Sequence, residues 1–311
     1  MPSSSTPQRR NAQAWVAKPE SGTLGLLRAM TALSLRCGRR LSRQVLYLIV
    51  CYYWLAAPAT ARHIRRYQRR VLTHPPRARD RFAQLLSFAT CVHDRVFLLN
   101  DRFAGFELEV HNENLLQRVL AQGSGCFLMG AHLGSFEITR SFGAQHPQVA
   151  VAMAMYAENA RKISAVLAAI NPRSQLAIIP LGSIDAMLQI RARLEAGAFV
   201  GMLADRTLGD EPVVELEFLG SSALFPLGPW RAAALMRRPV LFVAGLYCGA
   251  NRYRIVVDEV ADFTATEPAG RQAAIQDAVI RYVKILEGYC RQYPYNWFNF
   301  FDFWHEQSSS H

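Results

Sequence analysis

Acidic residues are almost missing from the first quarter of this chain: residues 1–81 hold sixteen Arg and Lys against only Glu20 and Asp80. The remaining residues hold nineteen basic and twenty-two acidic side chains, so the overall charge of +11 is made by the N-terminal quarter. The six cysteines, at 37, 51, 91, 126, 248 and 290, form no CxxC pair. That argues against a disulfide frame or a zinc site and for reduced thiols on the cytosolic side. No Walker A sequence occurs, and Gly123, Gly125 and Gly130 fail the dinucleotide-binding pattern. No His/Cys/acid cluster has metal-ligand spacing, so no metal is expected. Internal repeats and low-complexity tracts are lacking. A cleavable signal peptide is not expected, because the apolar stretch begins near residue 44 and no small-residue cleavage site stands out. No nucleic-acid-binding fold is recognisable, and an apolar run lies inside the Arg-rich region, so no nucleic-acid partner is expected.

What is present points to lipid. Hydrophobic residues make up 51% and mean hydropathy is +0.04, which favours membrane contact or a deep apolar pocket. Residues 1–20 are polar and are expected to be disordered, as a polar tail closes the chain at 305–311. Residues 21–75 read as a basic, helical, membrane-anchoring region. Within it, Gln44 to Ala61 carries no charge, and Arg36, Arg39, Arg40, Arg43 and Arg62, Arg65, Arg66, Arg69, Arg70 flank it. Eighteen helical residues rise about 27 Å, barely a bilayer core. A helix lying in the cytoplasmic leaflet satisfies both clusters on anionic lipid. A single span, or a buried core helix with solvated ends, is the alternative.

From residue 76 to 304 a long helix (78–101) is followed by alternating strands and helices. Strands are expected at 106–111, 126–131, 149–153, 177–179, 198–204, 213–218, 239–247 and 253–260. Helices are expected near 112–122, 135–144, 157–170, 183–196, 228–237 and 270–291. This alternation predicts an α/β fold with a mostly parallel central sheet and helices on both faces.

The run CFLMGAHLGSFEITR, 126–140, holds the most chemistry. A buried strand leads through Gly130-Ala131 to His132, and Gly134-Ser135 looks like a helix start with Glu137 in its first turn. Strand ends are where open α/β sheets gather their chemistry. Five helical residues turn through roughly 500°, so His132 and Glu137 meet only if His132 folds back over the first turn. A carboxylate on one ring nitrogen would leave the other free as a base for a substrate hydroxyl. Three further constellations lie at strand ends. Asp205-Arg206 is either an anion clamp or a structural pair. Tyr156 and Asn159 are either substrate contacts or a solvated helix start. The segment 218–230, with Gly220 and Pro226, reads as a loop whose backbone N–H groups face an oxyanion or thioester carbonyl, or as a simple turn. The aromatic tail 294–304 lines an acyl groove, lies on the membrane or packs on the core.

Taken in order, GAHLGSFE (130–137), Tyr156 with Asn159, LADR (203–206), FLGSSALFPLGP (218–229) and Pro239-Val240 resemble the bacterial lipid A biosynthesis acyltransferases, the lauroyl/myristoyl branch of the lysophospholipid acyltransferase superfamily. The resemblance covers about residues 20–300. It implies a glycerolipid acyltransferase-like domain at 76–304, His132 as base and Glu137 as its partner. It also implies attachment to the cytoplasmic face of the inner membrane, a glycolipid acceptor, and an acyl carrier protein or coenzyme A thioester as donor, with no further cofactor. Those enzymes usually carry Asp-Gln where this chain has Asp205-Arg206, and Arg-Pro where it has Ala157-Glu158. The ending YNWFNFFDFW looks more like acyltransferases of aryl polyene lipid gene clusters. A non-catalytic membrane or carrier-protein-binding module is the rival class, and an intact His132/Glu137 pair argues against it.

Overall fold

A computed structural model describes residues 21–139, 150–172, 177–207 and 211–304. The expectations for residues 1–20 and 305–311, and for most of a helix at 135–144, lie outside that set; 136–139 are helical. The helical pattern from Gly22 to Ala61 is divided between α1 (Ser21–Ala56), itself kinked at Gly38 with φ of 78°, and α2 (Pro58–Val71). Pro58 opens α2, where a missing N–H is harmless and the fixed φ suits a first turn. The two axes bend by 94°. The uncharged run 44–61 is therefore not one continuous helix. Among the described residues no single helix is long and apolar enough to cross a membrane, and only the bent pair passes by length and composition.

One face of α1 packs inward, with Leu46 and Val50 buried, against α3 (Ala78–Leu98). Its other face leaves Leu41, Leu48, Tyr52 and Leu55 exposed. The arginines expected to face lipid are split. Arg39 makes a two-pronged pair with buried Asp94, both contacts at 2.7 Å, and Asp94 also accepts from Tyr253. Arg43 donates to the Ala250 carbonyl and to the Tyr247 hydroxyl. On α2, Arg66 pairs with Asp302 and Arg70 lies over the Trp304 ring. Arg62, Arg65 and Arg69 remain exposed.

The body is the expected α/β sheet. Its strands are β1 (Glu107–His111), β2 (Cys126–Gly130), β3 (Val151–Tyr156), β4 (Ala177–Leu181), β5 (Phe199–Leu203), β8 (Pro239–Tyr247) and β9 (Arg252–Asp262), in the order β1-β9-β8-β2-β5-β3-β4. Neighbours are parallel except β8 and β9. The helices are α4 (Glu113–Gln122), α5 (Ala157–Ile170), α6 (Ile184–Glu195), α7 (Gly228–Leu235) and α8 (Arg271–Gln292). Central strands are apolar at nearly every position because both sheet faces are covered. Along β2, Phe127 and Met129 join a core with Ile190 and Leu194 of α6 and Val279 and Leu286 of α8. Cys126 and Leu128 point the other way, to Cys91 and Leu98 of α3 and Leu116 and Val119 of α4.

The segment read as a loop at 218–230 is mostly strand. β6 (Val213–Phe218) and β7 (Ser221–Pro226) form a separate antiparallel hairpin. Its two-residue turn is Leu219-Gly220, with φ of 54° and 76°. Positive φ at both positions gives a turn whose twist matches the strands, which is why glycine stands at 220.

Candidate active site

Strand register assembles the site. β2 and β5 run parallel with Gly130 beside Leu203, and the Ala204 amide donates to the Gly130 carbonyl at 3.1 Å. Two residues beyond each strand stand His132 and Asp205, side by side at the carboxyl edge. The His132 amide donates to Asp205 Oδ2 at 3.0 Å, and His132 Nδ1 lies 2.8 Å from Asp205 Oδ1. Oδ2 also accepts from Trp297 Nε1 at 3.2 Å and Asn299 Nδ2 at 3.1 Å. Asp205 is wholly buried, whereas the His132 side chain keeps 29% of its surface exposed. Burial alone would raise the Asp205 pKa, but the His132 ring, Arg206 and the His132 amide outweigh it and hold the carboxyl well below its usual range. An ionised carboxylate only accepts, so Nδ1 carries the proton and Nε2 keeps its lone pair. Burial lowers the His132 pKa below its ordinary value; Arg206 acts with burial and Asp205 against it. The imidazole is therefore neutral near pH 7, the form in which Nε2 can accept a proton.

The loop carrying His132 is held from two sides. Gly134 donates to the Asn296 carbonyl at 2.8 Å, Ser135 to the Gly245 carbonyl at 2.7 Å, and Phe298 to the His132 carbonyl at 2.7 Å. Gly134 has φ of 72°, and a Cβ there would overlap the Gly245 carbonyl. Tyr282, on α8, donates to the Gly130 carbonyl at 2.9 Å.

A buried carboxylate that orients an imidazole whose other nitrogen is free can deprotonate a hydroxyl and then shelter the imidazolium. A family model described as bacterial lipid A biosynthesis acyltransferase matches residues 86–306. The chain belongs to that family. It is an acyltransferase of the class that acts on lipid, with an acyl donor and a lipid acceptor as its substrates. No individual curated protein matches the chain by sequence.

In this acyltransferase the carboxylate on the His132 ring is Asp205, not Glu137. Glu137 is buried and pairs instead with Arg95 of α3, at 2.7 Å, and accepts from Ser135 Oγ at 3.4 Å. The first turn after the loop directs Glu137 toward α3 rather than back over His132. Asp205 and Arg206 are linked through Asn299. Arg206 Nε donates to Asn299 Oδ1 at 2.5 Å, one terminal nitrogen donates to the Phe298 carbonyl at 3.2 Å, and the guanidinium lies over the Phe301 ring. Burial brings its pKa down to about 10.

Tyr156 ends β3, on the same sheet edge, and its hydroxyl donates to Glu211 at 3.0 Å. Burial and that carboxylate push its pKa up to about 12. Asn159 stands in the first turn of α5, half-buried. Gly220 lies at the hairpin tip, where the Leu219 amide is taken by Glu287 of α8 at 2.8 Å; Pro226, opposite Val213, is buried at the hairpin's open end. Among the described residues, strands β6 and β7 pair only with each other, and the Leu227 amide donates to the Pro212 carbonyl at 2.9 Å. The aromatic tail packs on the core, with Trp297, Phe303 and Trp304 buried around Phe218. Arg95, Asn296, Trp297 and Asn299 escaped the sequence reading. The signal for the two asparagines was there: amides inside an apolar run that is buried need partners.

Proposed function

We propose that this acyltransferase moves a fatty acyl group from an acyl carrier protein or coenzyme A thioester to a hydroxyl of a lipid A-type glycolipid. His132 is the general base and Asp205 the carboxylate that orients it. Nε2 takes the acceptor's hydroxyl proton, and the alkoxide oxygen bonds to the thioester carbonyl carbon. The carbon–sulfur bond then breaks, and the imidazolium returns the proton to the departing thiolate. Asp205 stays ionised throughout and stabilises the imidazolium. The scheme uses no cofactor beyond the donor thioester and no metal. The observation that carries it is the 2.8 Å contact of His132 Nδ1 with the buried Asp205 carboxylate. Glu137, through Arg95, supports the loop rather than the proton. Tyr156 and Asn159, on the same sheet edge, are the proposed contacts to substrate.

Residues 76–304 are the proposed acyltransferase domain and 21–75 the anchor, on the cytoplasmic face of the inner membrane. The exposed row Leu41, Leu48, Tyr52 and Leu55, with Arg62, Arg65 and Arg69 free of the body, supports docking in one leaflet. A second acceptor class, an aryl polyene or other specialised lipid, is favoured by one contact. Arg206 and Asn299 each stand where the chain departs from the lipid A pattern, and they bond to each other.

The test is turnover of a lauroyl carrier-protein thioester with a lipid A precursor in detergent micelles. His132→Ala is expected to lose about 10²–10⁴-fold, the usual share of a positioned base. Near-normal turnover in a folded His132→Ala protein would overturn the mechanism. Mass spectrometry of lipids from a deletion strain distinguishes the acceptors.

A further inference from the structure

We infer that Asn299 is a positioning residue of the acyl-transfer site: its amide joins Arg206 to Asp205 and so holds the carboxylate that orients the His132 ring. The inference rests on His132 being the base. Asn299 is buried, with 2% of its surface exposed. Its Oδ1 accepts from Arg206 Nε and its Nδ2 donates to Asp205 Oδ2. Arg206 offers only donors and ionised Asp205 only acceptors, so the reversed amide would set N–H against N–H and oxygen against oxygen. Chemistry thus fixes which way Asn299 points. Glutamine has the same amide on a longer stem, aspartate lacks the donor and leucine lacks both groups.

The consequence reaches His132 through the two carboxylate oxygens. Oδ2 receives the His132 amide, Trp297 Nε1 and Asn299 Nδ2, while Oδ1 faces Nδ1. The three donors set the rotation of the carboxylate and withdraw part of its negative charge. Without Nδ2, the carboxylate attracts the ring proton more strongly, and the imidazolium is favoured at higher pH. Arg206 acts on both His132 and Asp205, and Tyr282 and Cys290 lie within electrostatic reach of Asp205, both held neutral by burial.

The experiment is a ¹⁵N-histidine NMR titration of the full-length protein in detergent, with His132→Gln used to assign the signal. In wild type, the ring should carry its proton on Nδ1. Asn299→Ala should raise the His132 pKa. Asn299→Asp, which places a second anion beside Asp205, should raise it further, by about 1 unit. The acid limb of the turnover profile should move by the same amount, so that activity lost at neutral pH returns on the alkaline side. Asn299→Ser, which keeps a small polar group, serves if the aspartate variant does not fold. Superimposable titrations in folded variants overturn the inference, even if melting temperature falls, because a purely packing role predicts that result. Activity in His132→Ala would instead remove the base mechanism, and the titration would still decide whether Asn299 tunes the ring.

Discussion

Asp205→Asn should inactivate this enzyme by placing a proton on the wrong nitrogen, and the surroundings of Asp205 say why. Three donors converge on Oδ2: the His132 amide, Trp297 Nε1 and Asn299 Nδ2. An asparagine at 205 must present its carbonyl oxygen to those three, because the opposite choice would bury three donors against an NH₂ group. Its NH₂ therefore faces His132 Nδ1, which must now accept. The proton moves to Nε2, and the lone pair that would take the acceptor's proton in the proposed mechanism is gone. The same inversion in a serine-protease triad costs about 10⁴ in turnover, and a general base supplies about 10²–10⁴. The expected loss is thus about 3–5 kcal/mol of transition-state stabilisation at 1.36 kcal/mol per decade. The side chain keeps its shape and all of its heavy-atom contacts, so the protein should stay folded. The assay compares kcat of the purified variant with wild type, together with the ¹⁵N shifts of the His132 ring. Turnover within about threefold of wild type in a folded protein with the Nε2–H tautomer would refute the reasoning.

Glu137→Gln should behave differently from Asp205→Asn: it breaks the pair with Arg95, destabilises by about 1–3 kcal/mol and leaves the His132 tautomer unchanged, which thermal melts and the same ring shifts can distinguish. Gly134→Ala should cost more stability than an ordinary surface change, because its positive φ and the Gly245 carbonyl both oppose a methyl group; a melting temperature equal to wild type would contradict the close approach. Leu48→Glu with Leu55→Glu alters side chains that are 72% and 74% exposed, so it should spare folding. It should nevertheless reduce sedimentation with anionic vesicles, by about tenfold or more, given roughly 1.5–3 kcal/mol for each fully buried leucine; unchanged sedimentation would detach α1 from membrane docking.

What the sequence made legible is local, and what it hid depends on distant pairing. The apolar runs of β2, β5 and β8 are readable because both faces of the sheet are covered, and that places His132 and Asp205 at strand ends. Which strands are neighbours is not written in either run. His132 and Asp205 are 73 residues apart, and only the parallel register of Gly130 beside Leu203 brings them together. With that pairing unseen, the nearest carboxylate in the chain, Glu137, is the natural candidate. Its true partner, Arg95, lies on α3 and carries no pattern of its own. The proline at 58 shows the opposite case, a local signal outweighed by an attractive eighteen-residue run. Proline tolerates the first turn of a helix and disrupts an interior, so the bend at Ala57 was derivable without any knowledge of the fold.

The tail makes the same point about energetics. An aromatic run at the end of a chain suggests an apolar surface, and burial of Trp297, Phe303 and Trp304 supplies that part of the account. The three polar groups inside it carry the chemistry. Asn296 closes both ways on Tyr247, through the Tyr247 amide at 2.7 Å and its carbonyl at 3.1 Å, and its own carbonyl takes the Gly134 amide. Trp297 and Asn299 finish the coordination of Asp205. Buried amides and an indole N–H left unpaired would each cost about 1–3 kcal/mol, so an aromatic tail carrying them stays docked only where partners wait. Those partners are the loop that carries His132 and the Asp205 carboxylate beside its ring. The segment's docking and the placement of the Asp205 carboxylate against the His132 ring share these hydrogen bonds, which ties the proposed base to residues more than 160 positions further along the chain.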